Sequence, residues 1–119
     1  MKSTRSQEWF FSLPILEALD ELGGGEDCGV VLERVHRKVA KHLTREDMEY
    51  LKVPLEPKWR NTAKWERNNL VKNGFMEQSK RRGFWEISEA GRKELRKLQE
   101  LGEIAERAFG DEGPPDSES

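Results

Sequence analysis

The sequence predicts a mainly α domain with one small β-hairpin, closed by a C-terminal helix, and three observations predict it. Apolar residues recur at helical spacing in separate stretches around 12–22, 30–43, 58–73 and 88–109. Two strand-like runs, Phe75-Met76-Glu77-Gln78 and Phe84-Trp85-Glu86-Ile87, flank a short loop ending in Gly83. A basic helix feeds directly into that loop.

At 119 residues the chain is one domain's worth, and 37% of it is charged. A domain of this size still buries roughly two-thirds of its unfolded surface, and four Trp and five Phe supply the anchors. The single cysteine, Cys28, leaves no internal disulfide framework and fits a reducing compartment. No apolar run reaches the roughly 18 residues of a membrane span, and no signal-peptide pattern opens the chain. A cytoplasmic protein with no membrane partner is expected. Net charge is −2, but it is segregated. Residues 58–83 hold eight Lys/Arg against Glu66 and Glu77, a local charge of +6, so the acidic whole does not exclude a polyanion partner.

The elements follow in order. Residues 1–8 are expected to be a flexible N-terminus. Trp9, Phe10 and Phe11 form an aromatic cluster that must pack on something. Ser12 is placed to cap a helix carrying Ile15, Leu16, Leu19 and Leu22, with Pro14 in its first turn and Gly23-Gly24-Gly25 as a flexible stop. Val31, Val35, Val39 and Leu43 mark a second helix over about 30–43. Thr44-Arg45-Glu46-Asp47 has the form of a capping box and opens a short helix to about Leu51. Pro54 and Pro57 bound a linker, after which a helix over 58–73 ends at Gly74. Ser88 caps the last helix, through about Phe109, with Leu95, Leu98, Leu101 and Ala105 near one face. Residues 110–119 are acidic and rich in Gly, Pro and Ser, so a disordered tail is expected.

Three or four helices, a hairpin and a further helix make the layout of a winged helix-turn-helix, here spanning 9–109. On the third long helix, Trp59, Ala63, Glu66 and Leu70 share one side, and Arg60, Asn61, Lys64, Arg67 and Asn68 lie opposite. Arg and Lys neutralise phosphates and release counterions. Arg grips guanine bidentately and Asn does the same for adenine. Lys80, Arg81 and Arg82 at the hairpin tip would reach the flanking backbone or minor groove.

Leu13-Pro14-Ile15-Leu16, Trp59 through Trp65 with Leu70 and Gly74, and Arg82-Gly83-Phe84-Trp85-Glu86-Ile87-Ser88 with Gly91 resemble the N-terminal domain of Mrr-type restriction proteins over roughly 10–98. The resemblance implies a winged helix that contacts DNA and works with a modification-dependent endonuclease. Two positions depart from the family pattern: Thr62 stands where Arg is common, and Glu66 where a small residue is common. The first puts one phosphate contact in doubt, and the second implies repacking under Trp65.

Other chemistry finds little support. Glu56-Pro57-Lys58 has the letters of an acidic-x-Lys nuclease pair, but Pro is poorly suited to a central strand. His36, His42 and Cys28 lack the ligand spacing of a metal site, and no phosphate-loop Lys follows the glycines. No catalysis, metal or cofactor is expected. Trp59, Trp65 and Trp85 are read as core rather than as a cage for a modified base, and either Phe84 or Trp85 must face inward. The expected function is double-stranded DNA binding linked to a restriction system, with a homodimer and a separate nuclease as further partners. A transcription regulator of the same fold, or a protein-interaction module that binds no DNA, are the alternatives.

Overall fold

The structure is a computed structural model, and residues 8–110 of it are described. The expected flexible N-terminus and acidic tail therefore lie, apart from Glu8 and Gly110, outside the described residues. Trp9 to Phe11 sit in a 3-10 turn that runs straight into α1 (Ser12–Glu21). Ser12 is thus the first residue of the helix and not its cap. Phe11 holds the cap position in a helical conformation, and the Ser12 hydroxyl donates to Glu66 Oε2 at 2.8 Å instead. The aromatic cluster splits: Phe11 is fully buried while Trp9 points outward. Ile15, Leu16 and Leu19 are buried as their spacing predicts, joined by Ala18.

The glycine run is a built turn rather than a flexible connector. Gly23 and Gly24 take φ of +95° and +108°, which L side chains rarely adopt, and Gly25 opens β1 (Gly25–Asp27). β1 pairs antiparallel with β2 (Phe84–Glu86), matching Gly25 to Glu86, Glu26 to Trp85 and Asp27 to Phe84. On its other edge β2 meets the expected first arm of the hairpin. That arm is reduced to a bridge between Met76 and Ile87, with Glu77 N–H donating to the Glu86 carbonyl at 2.9 Å.

Between α1 and the basic helix lie two further helices. α2 (Cys28–Val39) is capped by Asp27, whose carboxylate accepts from Gly29 N–H at 3.0 Å, and it starts two residues earlier than its apolar spacing predicts. It buries Val31, Leu32, Val35 and Val39, then tightens into a 3-10 turn over Ala40–His42. The capping box is present: Thr44 Oγ1 accepts from Asp47 N–H at 3.1 Å, and Asp47 Oδ2 accepts from Thr44 N–H at 2.8 Å. The helix it opens, α3 (Arg45–Met48), stops short of Leu51 because the chain turns extended at Glu49. Tyr50 then bridges Pro57 across a closed loop.

α4 (Lys58–Lys72) packs Trp59, Ala63 and Leu70 onto α1 and the turn before it. Trp85, only 5% exposed, is the inward member of its pair, leaving Phe84 half-buried. Ser88 caps α5 (Glu89–Ala105) by accepting from Gly91 N–H at 2.9 Å. Gly91 is required there, since a Cβ would fall 2.0 Å from the Phe75 carbonyl oxygen. Past Ala105 the chain continues as one π-helical turn, Glu106–Gly110. The architecture is a mainly α, winged helix-turn-helix-like domain with a C-terminal helix. No helix among the described residues is long and apolar enough to cross a membrane.

Candidate nucleic-acid interface

The solvent side of α4 is built around a carboxylate that sequence inspection set aside. Glu56, 7% exposed, accepts from Lys64 Nζ at 2.9 Å and from Asn61 Nδ2 at 3.3 Å, and it pairs with Arg60 Nε at 3.4 Å. Three of the five residues expected to face the groove are therefore gathered on one buried anion. Arg60 reaches Glu56 through Nε. The signal was present in the sequence: Glu56 stands four residues before Arg60 and eight before Lys64, just ahead of the helix.

Acids outside the 58–83 segment also moderate its local charge. Lys58 pairs with Glu46 at 3.0 Å and Glu49 at 3.9 Å. The local count of +6 therefore overstates the field, because Glu46, Glu49 and Glu56 fold onto the helix start.

One turn further on, Arg67 lies with its guanidinium carbon 5.7 Å from the centre of a Trp85 ring and donates to Asn68 Oδ1 at 3.3 Å. Its Nε is buried without a hydrogen-bond partner. Arg67 thus joins α4 to β2 rather than standing free. Asn68 is exposed beside it.

At the hairpin tip, Ser79 Oγ accepts from Arg81 N–H at 3.0 Å and donates to the Arg81 carbonyl at 3.2 Å, which fixes the turn locally. The Arg81 guanidinium stacks over Phe84, 4.9 Å from the ring centre. Lys80 and Arg82 are exposed and carry no ion pair among the described residues. They are the least neutralised cations of the predicted set.

The three tryptophans divide. Trp59 stacks on His36 at 5.0 Å and on Phe11 at 6.4 Å inside the domain, and Trp85 is buried. Trp65 is 54% exposed, so its reading as core is corrected. It stands on the outer face between Asn61 and Asn68, because helical phase turns it about a third of a turn from the stripe of Trp59, Thr62, Ala63, Glu66 and Leu70. Glu66 accepts from Ser12 at 2.8 Å and from Asn69 Nδ2 at 3.1 Å. Thr62 is buried and donates to the Lys58 carbonyl at 3.0 Å, so that position presents nothing to a phosphate.

Among the described residues no group of His, Cys, Asp and Glu is arranged to hold a metal. No curated protein and no protein of solved structure matches the chain significantly. Residues 10–97, most of its length and all the elements from α1 to the buried half of α5, match one family, and the chain therefore belongs to the Mrr N-terminal domain family.

Proposed function

We propose that the protein binds double-stranded DNA through the solvent face of α4 and the hairpin tip, as part of a restriction system. The observation that carries the reading is the surface of α4: Arg60, Asn61, Lys64 and Asn68 line one side of a helix whose other side is core. A helix of 15 residues fits the major groove, and its Arg and Asn side chains suit base edges while Lys suits phosphate. Exposed Lys80 and Arg82 extend the same sign to the wing. Membership of the Mrr N-terminal domain family supports the link to a restriction system. The partners in this reading are duplex DNA, a separate nuclease acting on the DNA so held, and a second copy of the chain. The protein itself performs no catalysis.

The test is duplex binding by the triple variant Arg60/Lys64/Arg67→Ala, with folding checked by circular dichroism. Each phosphate contact removed lowers the salt slope by about one unit, and each base contact costs about 1–3 kcal/mol. Parent-like affinity in the folded variant overturns the assignment. A second reading, a protein-interaction module, is favoured by the loop before α4, where Tyr50, Val53 and Leu55 are exposed. Absence of duplex binding by the parent at low salt would select it.

A further inference from the structure

α4 turns one large apolar side chain outward. Trp59, Ala63 and Leu70 are buried, whereas Trp65 is 54% exposed and adds nothing to the core. Asn61 stands four residues before Trp65 and Asn68 three after it, so both amides lie beside the indole on one helical surface. At 100° per residue, Asn61, Trp65, Asn68 and the exposed Lys72 fall within an arc of about 60°. From Asn61 to Asn68 this strip runs about 10 Å along the helix, the reach of a few stacked base pairs.

The two arginines of the helix lie to one side of the strip, rotated from it by about a third of a turn. Arg60 reaches back to Glu56, and Arg67 lies against Trp85. The amides keep their capacity. Asn61 gives one amide proton to Glu56, and the Asn68 oxygen accepts once, from Arg67. An Asn side chain has two protons and two lone pairs to offer, so each amide retains a donor and an acceptor.

We infer that this strip reads A·T pairs in the major groove, with Trp65 against thymine methyl groups and the amides of Asn61 and Asn68 on adenines. The inference rests on the DNA-binding reading above and names the base pairs that α4 selects. Thymine alone of the four bases carries a methyl group into the major groove, where an apolar side chain meets it. Adenine sets an N6 donor beside the N7 acceptor, which matches the acceptor and donor of an Asn amide. Guanine offers two acceptors and suits Arg, and on α4 the arginines are drawn aside. Lys80 and Arg82 in a minor groove would also favour A·T, through its narrowness. Uracil separates the two effects: it lacks the methyl group in the major groove and keeps the O2 acceptor in the minor groove.

Fluorescence anisotropy of the full chain on three duplex pools tests this: randomised A·T cores, the same cores with every thymine replaced by uracil, and randomised G·C cores. The parent is expected to bind the A·T pool about tenfold or more tightly than the G·C pool. Uracil replacement should cost about fourfold for each methyl group met. Trp65→Ala, with an unchanged circular dichroism spectrum, should bind the thymine and uracil pools alike, and Trp65→Phe, which keeps an apolar ring, should retain part of the difference. Asn68→Ala should narrow the preference for A·T over G·C and leave the thymine–uracil difference in place. Equal binding of the A·T and G·C pools overturns the proposal and leaves the DNA-binding reading intact, whereas no binding to any pool at low salt overturns that reading itself. A thymine–uracil difference that is absent in the parent, or undiminished in Trp65→Ala, overturns the role of Trp65.

Discussion

α2 and α4 pack on one core, yet they are held to it by different means. The buried side chains of α2 are Val31, Leu32, Val35 and Val39, all aliphatic. Those of α4 are Trp59, Thr62, Ala63, Glu66 and Leu70, and the two polar ones are satisfied at fixed angles by the Lys58 carbonyl, Ser12 and Asn69. Their outer faces differ as well. Arg34 and Lys38 of α2 meet half-exposed carboxylates on α1, whereas Arg60 and Lys64 of α4 meet the buried Glu56. Apolar contact is strong but non-directional. Hydrogen bonds in a shielded site are directional and cost stability when unmade. α2 is therefore built to hold the fold, and α4 to hold a rotational setting, which is what a helix offering side chains to a partner needs.

The largest effect that tests this contrast lies in the apolar contacts both helices share. Trp59→Ala in α4 is expected to cost about 3–5 kcal/mol, and Leu32→Ala in α2 about 2–5 kcal/mol, read from urea unfolding. Trp65→Ala, on the outer face of α4, should stay within about 0.5 kcal/mol. Were Trp65 as costly as Trp59, the division of α4 into an inner and an outer face would fail.

A smaller effect isolates the polar part of α4. Glu66→Ala leaves the Ser12 hydroxyl and the Asn69 amide without their acceptor, and is expected to cost about 1–3 kcal/mol. Glu66→Gln keeps one acceptor oxygen and should cost under about 1 kcal/mol. If Glu66→Ala proves neutral in the same unfolding measurement, α4 is held as α2 is and the contrast collapses.

The same contrast explains what could be read before the structure. The stripes of α1 and α2 were legible because burial there follows from hydrophobic period alone. The expected stripe of α5 splits, with Leu95 buried, Leu98 half-buried and Leu101 and Ala105 exposed. The capping box at Thr44 was legible because both its partners lie within four residues. β1 was missed: Gly25-Glu26-Asp27 has no apolar alternation, and its partner strand lies some sixty residues away in sequence. Ser12 was read as a cap because its partner Glu66 is equally remote. At the candidate site, the residue types on α4 were legible from the wheel. The gathering of Arg60, Asn61 and Lys64 on Glu56 was signalled only by its spacing ahead of the helix, and the burial of Glu56 was not legible, because a loop closed by the Tyr50–Pro57 bridge surrounds it. Polar contacts depend on which segments meet, and a single helix carries no record of that.

The smallest expected effect sits on the outer rim between α1 and α2. Glu21 receives Lys38 Nζ at 2.7 Å and Arg34 Nη1 at 3.1 Å. The hydrogen bond from Lys38 leads in holding its carboxyl below the ordinary Glu value of 4.5, with Arg34 adding to it and partial burial opposing. A folded value below the unfolded one means the pair stabilises the fold above about pH 4.5 and loses that contribution as pH falls through the lower folded value. Because Glu21 is 42% exposed, water and salt screen it. Glu21→Gln should then cost well under about 1 kcal/mol at neutral pH. Urea unfolding of parent and variant at pH 7 and again near pH 3 checks the sign: the difference should shrink at the lower pH, and also at about 1 M salt, where the Debye length is near 3 Å. A difference that persists at low pH would come from packing of the Glu21 side chain rather than from its charge. The rim of α2 would then contribute as its inner face does, through contact alone, and the charged residues of α4 would differ from it in kind as well as in depth.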